Sequence, residues 1–216
     1  MTGQQLIDKF EFLVDDTTTD STRILELINT GYKAICSRRV WNFLVSSDTS
    51  NTISSGTTDY SLPSDFLLPV SLRTYNSAND SYTDWAVVPF RNRRKYHNSS
   101  EYATIDKKNS NLVLTSDPAD AYFGDSIELD YTYLPTDITL STQPVLPEAF
   151  HSILVYEAAK NYFYSEQSDR VTEGAFDSKM AAEYNRLYSA LLDYDSIYDD
   201  SVDDNFMPQT DWSGLN

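Results

Sequence analysis

The sequence predicts an α+β protein: a four-helix bundle with an antiparallel β-domain inserted between its second and third helices, and an extended C-terminal tail. Three observations lead there. Apolar residues recur at three- and four-residue spacing near both ends of the chain, whereas the middle alternates at period two in short β-branched and aromatic runs. The last stretch is acidic, with a few isolated apolar residues. Helical stripes from opposite ends must meet to be buried, which brings the two ends of the insert together. The expected domains are 1–45 with 146–198 for the bundle, 46–145 for the β-domain and 199–216 for the tail.

The first helix spans Thr2 to Val14. Thr2 and Gln5 have the spacing of a capping box, and Leu6, Ile7, Phe10, Leu13 and Val14 form one apolar face. A polar link, Asp15 to Thr19, is short enough to make the next helix an antiparallel neighbour. That helix opens at Asp20, Ser21 or Thr22, any of which can accept from the first free backbone N–H groups. Its stripe is Ile24, Leu27, Ile28, Gly31 and Ile35. Gly31 costs a mid-helix position about 1 kcal/mol against Ala. It marks either a close approach of another backbone or simple tolerance. Beyond the helix, Val40 to Leu44 is an apolar knot around Trp41 and Phe43 that must be covered.

Composition then changes. Ser46 to Gly56 is rich in Ser and Thr and reads as an edge strand and loop. Pro63 forces extended backbone on Leu62. Strands are expected at 67–75, 85–89, 102–106, 112–116 and 127–134, with a hairpin turn at Asn109-Ser110-Asn111. In the last strand Ile127, Leu129, Tyr131 and Tyr133 share one face, opposed by Glu128, Asp130 and Thr132, so one side of the sheet is covered and the other wet.

Helix returns at Leu146-Pro147-Glu148-Ala149, where Pro147 suits a first helical position. Phe150, Ile153, Leu154, Ala158, Tyr162 and Ser165 make its buried face. A fourth helix is expected from Ser168-Asp169 to Tyr194, interruptible at Gly174, with Phe176, Met180, Tyr184, Leu187, Tyr188 and Leu191 as its stripe. Paired alanines, Ala158-Ala159 and Ala181-Ala182, allow the last two helices to pack closely. The core is expected to rest on Ile24, Ile28, Trp41, Phe43, Leu154 and Leu187.

Charge narrows the function. A net charge of −17 argues against sequence-independent nucleic-acid binding, which draws its affinity from Lys and Arg on phosphates. The basic residues are uneven: Arg91, Arg93, Arg94 and Lys95 cluster, flanked by Phe90 and Tyr96. This cluster reads either as a nucleic-acid patch with stacking aromatics, or as a loop that is simply solvated or is a contact for acidic groups on an adjoining subunit or tail protein, which fits the overall charge better. From Asp193 onward there are seven Asp and no basic residue. Within the tail, Phe206, Met207, Pro208, Trp212 and Leu215 read as anchors that order on a partner; a plain disordered terminus is the alternative. The sixteen tyrosines suit partly wet interfaces and equally a Tyr-rich core.

No chemistry is legible. The two histidines, His97 and His151, have no Cys, His or carboxylate neighbours at metal-ligand spacing, and His151 reads as structural. There is no Gly-rich phosphate loop, and no Gly turn frames the C-terminal aspartates as a calcium loop. No enzyme, no metal and no cofactor are expected. Cys36, the one cysteine, reads as a small core residue with a reducing cytosol the default compartment. No signal peptide is recognisable at the N-terminus, and no apolar run approaches the ~20 residues that cross a bilayer, so no membrane is expected.

The Ile24-to-Ile35 stripe is followed at once by Arg38-Arg39-Val40-Trp41-Asn42-Phe43-Leu44. Then come Tyr60-Ser61-Leu62-Pro63-Ser64-Asp65-Phe66, a β run ending Tyr131-Thr132-Tyr133-Leu134-Pro135, and Leu146-Pro147-Glu148-Ala149-Phe150-His151. In order and spacing these resemble the head-to-tail adaptors of tailed bacteriophages, the tail tubular protein A or portal-adaptor type of short-tailed phages, from Gln4 to about Tyr194. The resemblance implies a structural virion protein at the head–tail interface, assembled in the host cytoplasm. It implies a dodecameric ring of identical subunits below the portal protein, continuing the DNA channel without binding DNA specifically. The C-terminal segment would reach the portal, and the β-domain would face tail tube or nozzle proteins. The acidic tail departs from that pattern. The competing reading is another virion or surface module whose β-domain binds a glycan or a protein.

Overall fold

The computed structural model describes residues 1–15, 17–97, 99–165 and 178–196. The chain divides into two compact units. One is Met1–Leu44 with the described residues from Leu134 onward; the other is Val45–Tyr133.

In the first unit, α1 (Gly3–Val14) begins with the reciprocal capping box: Gln5 N–H donates to Thr2 Oγ1, and Thr2 N–H to Gln5 Oε1. Helix α2 (Ser21–Cys36) starts at Asp20, whose carboxylate accepts from Thr22 N–H at 2.9 Å. Helix α3 (Ser152–Ser165) follows a 3-10 turn at Glu148–Phe150, and α4 spans Ser178–Ser196. The expected earlier start of the last helix, with Gly174 and Phe176, lies outside the described residues.

The architecture is not a four-helix bundle with an inserted antiparallel domain. In the bundle expected from four stripes, each helix offers one face to a shared core. Here α3 is a hub instead: it packs against α1, α2 and α4. Ile153, Leu154, Val155, Ala158, Ala159, Tyr162 and Phe163 are all buried, so its apolar surface nearly encircles the helix. Irregular chain fills the gaps between helices. Asn29 pairs with residue 138 as a strand would, its amide donating to Ile138 O at 3.0 Å and accepting from Ile138 N–H at 2.7 Å. Val145 N–H donates to the Tyr32 hydroxyl at 2.9 Å. Gly3 and Gln4, whose N–H groups have no partner inside α1, donate to Thr142 O and Leu140 O.

The strands depart from the expected single antiparallel sheet as well. They form two four-stranded sheets. One has β1 (Val45–Thr52), β8 (Ser126–Tyr133), β3 (Phe66–Asn76) and β4 (Ser81–Asp84) in that order; the other has β2 (Asp59–Ser61), β7 (Asn111–Leu114), β6 (Tyr102–Asp106) and β5 (Ala86–Val88). The β5–β6 pair is parallel, with Val87 opposite Ala103. Parallel neighbours need a crossover rather than a hairpin. Residues 89–101 provide it, and at its centre Phe90–Tyr96 winds into a 3-10 helix. Both sheets contribute to one core, Leu72, Trp85, Ile127 and Leu129 from the first side meeting Tyr60, Ala103, Leu112 and Leu114 from the other.

Candidate interaction surfaces

The basic cluster lies on the β5–β6 crossover. Arg91, Arg93, Arg94 and Lys95 are all exposed on its 3-10 helix, not on an irregular loop. Tyr96 fixes the crossover to the sheet by stacking on Tyr102 with ring centroids 4.6 Å apart. Arg93 lies over the Phe90 ring at 4.2 Å. Among the described residues no carboxylate forms an ion pair with any of these four cations. By contrast Arg38, Arg39, Arg73 and Arg186 each have one.

Arg93, Arg94 and His97 edge a cleft of about 820 Å³ between the crossover and the second sheet. Thr104 in β6 lies beneath. Ala103 and Ile105 face the core of this unit, so Thr104 between them points to the crossover side. Its hydroxyl is fully buried and has no hydrogen-bond partner. Ser116 and Asp117 complete the rim. Sequence reading singled out the cations but not the cleft, because the opposing wall comes from strands whose pairing no local pattern encodes.

In the helical unit, charge is used internally. Arg38, just past α2, donates through Nη2 to Glu157 Oε1 at 2.9 Å and through Nη1 to the Tyr184 hydroxyl, linking α2, α3 and α4. Burial, then the neighbouring Glu157, pushes the Tyr184 phenol up to about 12, so it stays a neutral partner. Asp195, buried in the last turn of α4, accepts from Asn42 N–H at 2.8 Å and pairs with Arg39 at 3.5 Å. These buried carboxylates were not read from the sequence. A lone Glu inside the apolar run Ile153–Ala159, with Arg38-Arg39 elsewhere unclaimed, was the available signal.

Of the expected core residues, Ile24, Ile28, Trp41 and Leu154 are fully buried, Leu187 is 7 % exposed and Phe43 is half-buried. Trp41 donates to Ile35 O at 2.9 Å and meets Tyr188 edge-on. Gly31 sits where a Cβ would lie 3.0 Å from Glu157 Cγ, so what crowds it is the Glu157 side chain; the nearest backbone atom, Ala158 N, is at an ordinary 3.7 Å and does not bear out the close approach of another backbone. Cys36 is buried; loss of water pushes its thiol up to about 12, leaving no reactive thiolate near neutral pH. His151 lies between the Met1 amino group, 2.6 Å from Nδ1, and Leu146 O, 2.7 Å from Nε2. Since a carbonyl only accepts, Nε2 carries the proton.

Among the described residues of this unit the most exposed large apolar side chains are Phe12 on α1 at 88 % and Tyr164 on α3 at 64 %. The tail anchors Phe206, Met207, Pro208, Trp212 and Leu215 lie outside the described residues.

A family model described as SU10 adaptor protein matches residues 1–210. No curated protein matches the chain.

Proposed function

Because the chain belongs to the SU10 adaptor protein family, a family of phage structural proteins, we propose that it is a head-to-tail adaptor. In this reading identical subunits close a ring, a dodecamer, below the portal protein at the head–tail interface. The ring continues the DNA channel and receives tail tube or nozzle proteins. The observation that carries the proposal is the family match along nearly the whole chain.

Several physical features support it. An adaptor must offer surface to copies of itself and to other proteins, and solvent-exposed Phe12 and Tyr164 suit such burial. The exposed cations Arg91, Arg93, Arg94 and Lys95, which form no ion pair among the described residues, suit acidic groups on an adjoining subunit or tail protein. A net charge of −17 on each copy would make acidic channel walls repel phosphates, so that DNA slides instead of sticking. Screening over ~8 Å confines that effect to the lining. The C-terminal residues Phe206, Met207, Pro208, Trp212 and Leu215 would dock on the portal, where many weak contacts made together hold firmly.

Sedimentation and negative-stain imaging of the full chain mixed with portal protein test the proposal. A ring-sized complex with portal is expected, while a persistent monomer without portal affinity would rule against it.

A further inference from the structure

The β5–β6 cleft has the chemistry of a binding site. Its two guanidinium groups, on Arg93 and Arg94, form no ion pair among the described residues, although the chain is strongly acidic and Asp106 lies near enough to Arg93 to feel its charge. Arg93 is not loosely placed, because its guanidinium rests on the Phe90 ring. His97, at the end of the same 3-10 helix, adds an imidazole to the rim. Below them is the Thr104 hydroxyl, buried and unpartnered in a protein where such groups are normally satisfied. A hydroxyl left this way costs stability unless something else meets it.

We propose that this cleft binds a compact oxyanion, a phosphate or carboxylate group carried by a small polar ligand. Arg93 and Arg94 supply planar donors that match either group, with the His97 ring on the rim beside them. The Thr104 hydroxyl donates to the bound group or to a water beside it. Asp117 on the rim disfavours a polyanion and leaves room for one negative charge beside hydroxyl groups of the ligand, which separates this site from a DNA-binding surface. At about 820 Å³ the cleft is of ligand-pocket size. This inference does not depend on where the adaptor sits in a particle.

The chain has only two histidines, which makes the test direct. In the full chain labelled at histidine, the His97 ring Cε1–H resonance is followed by NMR during titration with inorganic phosphate, with glucuronate and with sodium chloride at matched ionic strength. Buried His151 is the internal control. Saturable movement of His97 with phosphate, glucuronate or both is expected, with His151 still and chloride without effect. A response to phosphate alone assigns a phosphate group, and one to glucuronate alone a carboxylate. The double variant Arg93→Gln/Arg94→Gln should weaken binding at least tenfold. Thr104→Val, which removes a hydroxyl without changing shape, should weaken it about tenfold and leave the protein folded. No saturable movement with either probe, equal movement with chloride, or undiminished binding in the double variant would overturn the proposal.

Discussion

Arg38 and Glu157 meet at 2.9 Å, and the carboxylate is only 5 % exposed. Such a pair is worth little against an apolar substitute but much against its own half, since removing Arg38 leaves the buried Glu157 only the longer contact to Lys160 at 3.8 Å. Arg38→Ala should destabilise the helical unit by about 1–3 kcal/mol, less than for a fully enclosed pair because the guanidinium is itself about a third exposed. Adding Glu157→Gln to that variant should recover part of the loss. Denaturant unfolding of the single and double variants measures the coupling; strictly additive losses would show that the two charges do not depend on each other.

Gly3 is a second pressure point. It begins a helix, where alanine ordinarily helps, yet a Cβ there would collide with Thr139 O. That oxygen is backbone and cannot rotate away. Gly3→Ala should therefore cost about 1–3 kcal/mol despite the gain in helix propensity, and a raised melting temperature would refute the contact.

His151 should make stability depend on pH. Burial is the largest influence on it, and its pKa is lowered from the ordinary 6.5 even though the bond to Leu146 O opposes the shift. Below pH 6.5 the unfolded chain therefore takes up a proton that the folded ring refuses. Stability is whole above pH 6.5 and falls as the pH drops from there toward the folded-state value. His151→Gln should flatten that part of the profile relative to the native chain. An unchanged slope would place the titration elsewhere.

Local signals were legible in the sequence and long-range ones were not. Thr2 with Gln5, and Asp20 before the Ile24 stripe, encode helix starts because the bonds they make span two or three residues. Strand β6 falls at 102–106 as expected, and β8 alternates as read over Ile127, Leu129 and Tyr131, which are buried, but not at its end, where Thr132 of the face expected to be wet is fully buried and Tyr133 only half-buried. Strand β4, Ser81–Asp84, carries mostly exposed polar side chains and so leaves no alternation to read. The direction of β5 beside β6 depends on a crossover, and nothing in Ala86-Val87-Val88 itself distinguishes parallel from antiparallel pairing. The bundle expectation failed for a similar reason. An apolar stripe says that a helix is covered, not by what, and the unusually wide apolar surface of α3 was the missed mark of a hub. At the cleft, Arg91 to Lys95 were visible as charge, whereas Thr104 looked like any strand threonine.

The C-terminal segment should be separable from folding. Ending the chain after Tyr198 removes Phe206, Met207, Pro208, Trp212 and Leu215. Thermal unfolding of the remaining chain should be within about 0.5 kcal/mol of the full protein, the usual range for changes away from a core. Co-sedimentation with portal should weaken at least tenfold. Undiminished attachment would remove the docking role from this segment.

The most direct measurement is cryo-electron microscopy of the native particle at a resolution that traces this chain. The expected result is a ring of copies at the head–tail junction, seated on the portal and surrounding the DNA path. Finding the chain elsewhere in the particle, or missing from it, would contradict the adaptor role.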